Sequence, residues 1–154
     1  MRKFDEKFSE DILERLGRLE PETKPQWGSM STAQLYGHLT GTIDVTMGRG
    51  KQFAFHGNFK TRWLFRPLIL SGLAALPRNV KLPPQTGEAK PPLTVEGTPE
   101  KLREALDEYF RKKKEGSLPS VMHPYFGSMS PAQWSRFHVA HFKHHLTQFG
   151  IWDL

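Results

Sequence analysis

Residues 130–150 read SPAQWSRFHVAHFKHHLTQFG, and this stretch decides the fold. Ser130 is a natural N-cap. Pro131 suits the first helical position, where its missing N–H has no partner to lose, and Gln133 is placed to close a capping box. Gly150 supplies a C-terminal stop. The pattern predicts one helix from Ser130 to Gly150. At about 100° per residue, Arg136, Lys143 and Thr147 fall in a sector that faces water. Trp134, His138, His141 and His145 fall opposite, with Phe142 and Phe149 beside them and Gln148 at the edge. A core stripe normally filled by Leu and Ile thus carries imidazoles, each able to take a proton or a metal.

His141 and His145 are four apart on one helical face, the spacing that lets two side chains grip one ion. A catalytic site usually takes three protein ligands, so a third must come from elsewhere. The opening of the helix has a near-copy upstream: residues 28–34 read GSMSTAQ and residues 127–133 read GSMSPAQ, preceded by Trp27 and Phe126. Ser31 therefore starts a second helix, which carries His38. On its wheel His38 lies beside Thr42 and Val45, at the flank of the stripe made by Leu35, Leu39 and Ile43, and points inward.

The rest of the chain builds a scaffold around these helices. At 154 residues it is one domain, long enough to bury a core. Phe4, Phe8, Ile12, Leu16 and Leu19 recur at helical spacing and predict a first helix, broken by the two prolines of residues 20–26. The second helix runs from Ser31 to about Met47, ended by Gly48 and Gly50. Thr98 and Pro99 start another, with Leu102, Leu106, Tyr109 and Phe110 as its apolar stripe and Lys112 to Lys114 at its C-terminal turn. Residues 49–97 have little periodicity; a short helix near Pro67 to Leu76 and an extended crossover from Pro77 to Pro92 are expected there. Residues 116–127 read as a loop, with His56 and His123 exposed in loops.

Formal charge is +6, spread along the chain. It suits an anionic small molecule, a membrane surface or nucleic acid equally, but the sequence has no nucleic-acid recognition motif and no aromatics interleaved on a basic face. The absence of cysteine excludes disulfides, thiolate metal sites and a cysteine nucleophile. The N-terminus MRKFDEKFSED is charged at once, so the expected compartment is cytoplasmic. Trp63 to Leu76, the most apolar stretch, is too short to span a bilayer; a buried helix or lid suits it better than a membrane surface.

The contexts WGSMSTAQLYGHLT and HFKHHLTQFG, with the turn His123-Pro124-Tyr125-Phe126-Gly127, resemble the DinB-like superfamily of metal-binding four-helix bundles. More narrowly, they are similar to an uncharacterised branch with HPxFG and HHLxQFG motifs, related to mycothiol-dependent maleylpyruvate isomerase-type proteins. The resemblance covers residues 25–47 and 121–151. It implies an all-α bundle with a long crossover between its second and third helices, with His38, His141 and His145 as metal ligands and Gln148 matching a family glutamine. The chain departs from the pattern at Leu146 and Thr147, where many members carry Arg and Gly.

Three neutral imidazoles would leave zinc, nickel or iron dicationic with open positions, able to activate water, polarise a carbonyl or stabilise a thiolate. The resemblance implies a small-molecule substrate, a low-molecular-weight thiol in the transferase and isomerase relatives, and a homodimer. Its activities are thiol-dependent transfer or isomerisation, or hydrolysis. The second reading is a non-catalytic bundle that binds a ligand or partner, with the histidines merely packed. His138 is a substitute ligand or a substrate-facing residue, and Gln148 is placed to orient a ligand's second nitrogen. Asp44 falls on the outer side of its helix. Tyr36, Tyr125 and His138 are the remaining candidates for a general base, and none has a spacing argument, so the catalytic residues stay unassigned.

Overall fold

A computed structural model describes residues 2–87 and 95–153. Four longer helices form where capping and apolar period agree. α1 (Glu6–Leu16) starts where the Asp5 carboxylate accepts from the Phe8 N–H, later than the apolar period alone predicted. α2 (Thr32–Thr46) and α5 (Pro131–Gln148) both open with complete capping boxes, Ser31 with Gln34 and Ser130 with Gln133. Between them in sequence, α4 (Pro99–Glu115) is capped by Thr98 and ended by Gly116 at φ 68°. The last helix stops as expected, with Gly150 at φ 72°.

α1 and α2 each lie against both α4 and α5. The apolar stripes meet in one core in which Leu16, Leu35, Leu39, Ile43, Leu102 and Leu146 are wholly excluded from water. Each such leucine or isoleucine contributes roughly 1.5–3 kcal/mol of transfer free energy. A smaller cluster covers the other flank of α5, joining Trp134 and Phe137 to Val45, Ile69, Val121 and Met129.

Two features depart from the sequence reading. The chain is mostly helical rather than all-α, because β1 (Val121–His123), inside the segment expected to be a loop, pairs antiparallel with β2 (Gly127–Met129), which starts at that segment's last residue. Three-residue strands are too short to show a period, so nothing in the pattern announced them. His123 is buried in this hairpin, not exposed.

The insertion differs as well. A π-helical turn (Thr61–Phe65) runs into α3 (Arg66–Leu70), earlier than the helix expected over Pro67 to Leu76. The Arg66 N–H donates five residues back to the Thr61 carbonyl, and Pro67, which has no N–H, begins the tighter α-helical turn. Only Ile69 and Leu70 are buried there, whereas Phe59, Trp63, Leu64 and Phe65 face water. Among the described residues no helix is long and apolar enough to cross a membrane.

Residues 88–94, which take in the last part of the crossover expected over Pro77 to Pro92, lie outside the described residues. Its near end is strapped down where the Gln85 amide donates to the Lys51 carbonyl at 2.6 Å and the Thr86 N–H to the Gln52 carbonyl at 2.9 Å. Its far end crosses α2 at Gly37. A Cβ there would sit 1.9 Å from the Val95 carbonyl oxygen, so only glycine permits the crossing, which the Gly97 N–H secures on the Ala33 carbonyl at 2.8 Å.

Candidate metal centre

The capped starts of α2 and α5 set which residues of each helix face inward, and their inward imidazoles meet. His38 Nε2 lies 2.9 Å from His141 Nε2, and His145 Nε2 lies 3.1 Å from the same atom. Candidate ligand atoms of all three residues fall within 4.8 Å of one another. Tetrahedral zinc at about 2.1 Å from each nitrogen needs separations of about 3.4 Å, a few tenths of an ångström wider than the two close contacts. His141 and His145 are buried, and the Phe137 ring stacks on His141 at 5.2 Å and 18°.

The environment keeps these rings neutral. Burial pushes His38 down to about 4, helped by the charge of His144. His141 and His145 are driven well below the ordinary histidine value, chiefly by burial and then by neighbouring imidazoles. Neutral imidazole is the form that ligates metals.

Hydrogen bonding decides where one of the protons sits. The Gln148 amide nitrogen donates to the Trp27 carbonyl at 3.1 Å, which turns Gln148 Oε1 toward His145 Nδ1 at 2.8 Å. An amide oxygen only accepts, so His145 carries its proton on Nδ1 and presents a bare Nε2 lone pair to the cluster. His141 Nε2 then faces two imidazole nitrogens. If it holds a proton, that proton cannot point at both; if it does not, two lone pairs oppose each other across 3.1 Å. Its Nδ1 is buried without a partner. A cation among the three Nε2 atoms relieves this conflict, so the donor set fits a metal.

The other candidate residues fall elsewhere. The Thr46 hydroxyl donates to the Ile43 carbonyl at 2.7 Å, so at its 3.2 Å contact with His138 Nε2 it accepts. His138 therefore carries its proton on Nε2, leaves Nδ1 partnerless, and packs among Phe4, Tyr109 and Trp134, outside the cluster. Burial first, then Lys113, lowers it to about 3. His144 is half-buried with its ring edge on Trp27 and on His145. His56 is exposed. Asp44 pairs with Arg49 at 3.7 Å, and the Tyr36 hydroxyl donates to the Leu16 carbonyl. Tyr125 donates to the Lys81 carbonyl.

Beside His38 and His141 lies a cavity of about 240 Å³, walled by Val45, Phe53, Leu82, Val95, Trp134 and Phe137. No Asp, Glu, Lys or Arg is among the described residues that line it. His123 also lines it. Sequence reading placed His123 in solvent because the Pro124 turn looked like a surface loop; its one available signal was the two residues after the proline, whose N–H groups a histidine ring can cap.

No curated protein and no solved structure matches the chain. Residues 2–150, nearly its whole length, match the family described as Protein of unknown function (DUF1569), and the chain belongs to that family.

Proposed function

We propose that this chain is a metal-dependent enzyme in which the Nε2 atoms of His38, His141 and His145 hold one divalent transition cation, in the manner of the DinB-like superfamily. The observation that carries the reading is the meeting of three neutral imidazole nitrogens around one point, one of them held as a lone pair by the Gln148 hydrogen bond. Packed histidines without a cation would have to share protons that the contacts at 2.9 and 3.1 Å do not allow them to share well.

A cation held there supplies Lewis acidity, suited to polarising a carbonyl or stabilising a thiolate. The protein's own residues do the rest. Gln148 fixes the His145 tautomer, and Phe137 stacks on the face of the His141 ring. Largely apolar walls line the adjoining cavity, and electrostatic interactions made against them are stronger than in bulk water. Three protein ligands beside a cavity favour a catalytic site over a closed structural one. The reaction class is thiol-dependent transfer or isomerisation, or hydrolysis, on a small molecule in the cytoplasm. Zinc, nickel and iron all suit the donor set. Exposed Phe59, Trp63 and Leu64 offer apolar surface for a homodimer.

Elemental analysis of protein purified without a histidine tag tests the centre. About one equivalent of transition metal should survive desalting. His38→Ala and His145→Ala should each lose it while keeping the helical circular dichroism. Retention by either variant, or no metal on the native chain after incubation with zinc, nickel and iron in turn, would refute the proposal.

A further inference from the structure

His123 sits in the hairpin beside the cavity, 8% exposed, its ring stacked on Phe126 at 4.3 Å and 13° and set edge-on to Phe137 at 4.8 Å. Its Nδ1 accepts from two backbone N–H groups, those of Tyr125 and Phe126, both at 3.1 Å. An atom that accepts twice carries no proton, so the ring hydrogen is on Nε2. Among the described residues nothing accepts from it. The ring is largely buried, yet this nitrogen is not among the enclosed partnerless atoms, so the N–H is a neutral donor left open on a ring that lines the cavity.

Of the other side-chain donors lining the cavity, two are engaged, and the partnerless His141 Nδ1 is enclosed away from the accessible surface. The Trp134 indole donates to the Val121 carbonyl at 3.0 Å, and the Thr42 hydroxyl to the His38 carbonyl at 2.9 Å. Gln85 is held by its amide on the Lys51 carbonyl. The walls are otherwise apolar and carry no charge among the described residues.

We propose that the cavity binds a small, mainly apolar molecule bearing a neutral oxygen acceptor, and that the His123 Nε2–H donates to that oxygen and so sets the molecule's orientation beside the imidazole cluster. This deepens the enzymatic reading and rests on it for the position of the reacting atoms. His123 is a fixed neutral donor rather than a proton relay: both backbone N–H groups oppose a proton on Nδ1, and burial lowers the ring to about 3. The acceptor class is a ketone, aldehyde, ester or amide oxygen on a body of about ten heavy atoms, the size such a cavity holds. In metal-free protein a carboxylate or phosphate body is disfavoured, because no cationic side chain lines the walls to replace its water.

Acetophenone and α-methylstyrene have nearly the same shape, and only the first has an oxygen acceptor. Binding of each is read by saturable chemical-shift changes, with the His123 side-chain nitrogen signal followed directly, in metal-free and zinc-loaded protein. Native protein should prefer acetophenone by about tenfold, the worth of one buried hydrogen bond, with the His123 Nε2 signal moving only for that probe. His123→Asn keeps an acceptor oxygen near the Nδ1 position for the Tyr125 and Phe126 N–H groups but removes the Nε2 donor. It should fold and bind both probes equally. Equal binding by native protein, an unchanged preference in His123→Asn, or no saturable binding of acetophenone would overturn the proposal. Zinc content measured on the same samples reports on the metal centre separately, so failure of one does not count as failure of the other.

Discussion

Gln148 Oε1 lies 2.8 Å from His145 Nδ1, and the same amide donates to the Trp27 carbonyl on the chain leading into α2. One side chain thus ties the tautomer of an α5 imidazole to the backbone beside the other half of the site. The amide cannot flip without setting its N–H₂ against the His145 N–H and its oxygen against a carbonyl. Gln148→Leu should keep the helical fold and weaken zinc by roughly 10–100-fold, measured by competition with a chromophoric chelator.

Zinc should stabilise the folded chain by mass action. At about 100 times its dissociation constant the gain is about 2.7 kcal/mol, a rise in melting temperature on the order of 5–10 °C for a domain of this size. Differential scanning calorimetry with and without zinc checks this. His38→Ala should melt at the same temperature in both conditions.

His138 should prove structural. Thr46→Val removes the oxygen that accepts from His138 Nε2 and leaves a second unpaired nitrogen on a ring wholly excluded from water. The expected loss is about 1–3 kcal/mol in urea unfolding with no change in zinc stoichiometry. A change in stoichiometry would bring His138 into the site.

Metal-free protein should lose stability as pH falls. His123 and His138 both sit at about 3 in the folded chain, displaced downward from 6.5 by burial. The unfolded chain therefore takes up protons near 6.5 that the folded chain refuses until about 3. Their contribution is complete above pH 6.5 and is lost progressively down to pH 3. By pH 5 each group costs about 2 kcal/mol relative to pH 8. Urea unfolding across this range measures the slope, and His123→Asn and His138→Phe should each flatten it.

The crossing at Gly37 gives a backbone test. Gly37→Ala places a methyl 1.9 Å from the Val95 carbonyl oxygen, so the strap must lift. The expected cost is about 1–3 kcal/mol, with loss of hydrogen-exchange protection at the Gly97 amide that now bonds Ala33. The His38 and His141 side of the cavity loses a wall, so acetophenone binding should weaken as well.

Much of this was legible in the residues. Ser31 with Gln34 and Ser130 with Gln133 announced two helix starts, and the caps found are those pairs. The inward faces of α2 and α5 followed from the period, because local capping and long-range burial agree along them. The hairpin was not legible: Val121 to His123 is shorter than any period, and its register comes from pairing with residues 127–129. Nor was the exposure of Trp63, Leu64 and Phe65, since an apolar stretch records what could be buried and not whether a partner surface exists.

By itself the sequence determined that four amphipathic helices would form, that cysteine chemistry was excluded, and which imidazoles each helix would turn inward. Helical period is a local property, set by side-chain spacing and end caps. Only the tertiary structure decided that His38 and His141, 103 residues apart, stand at 2.9 Å, that Gln148 and Trp27 select the His145 lone pair, and that His123 is a buried donor. Those depend on how rigid helices and a short hairpin pack in space, and side-chain distance and proton placement exist only once that packing is in place.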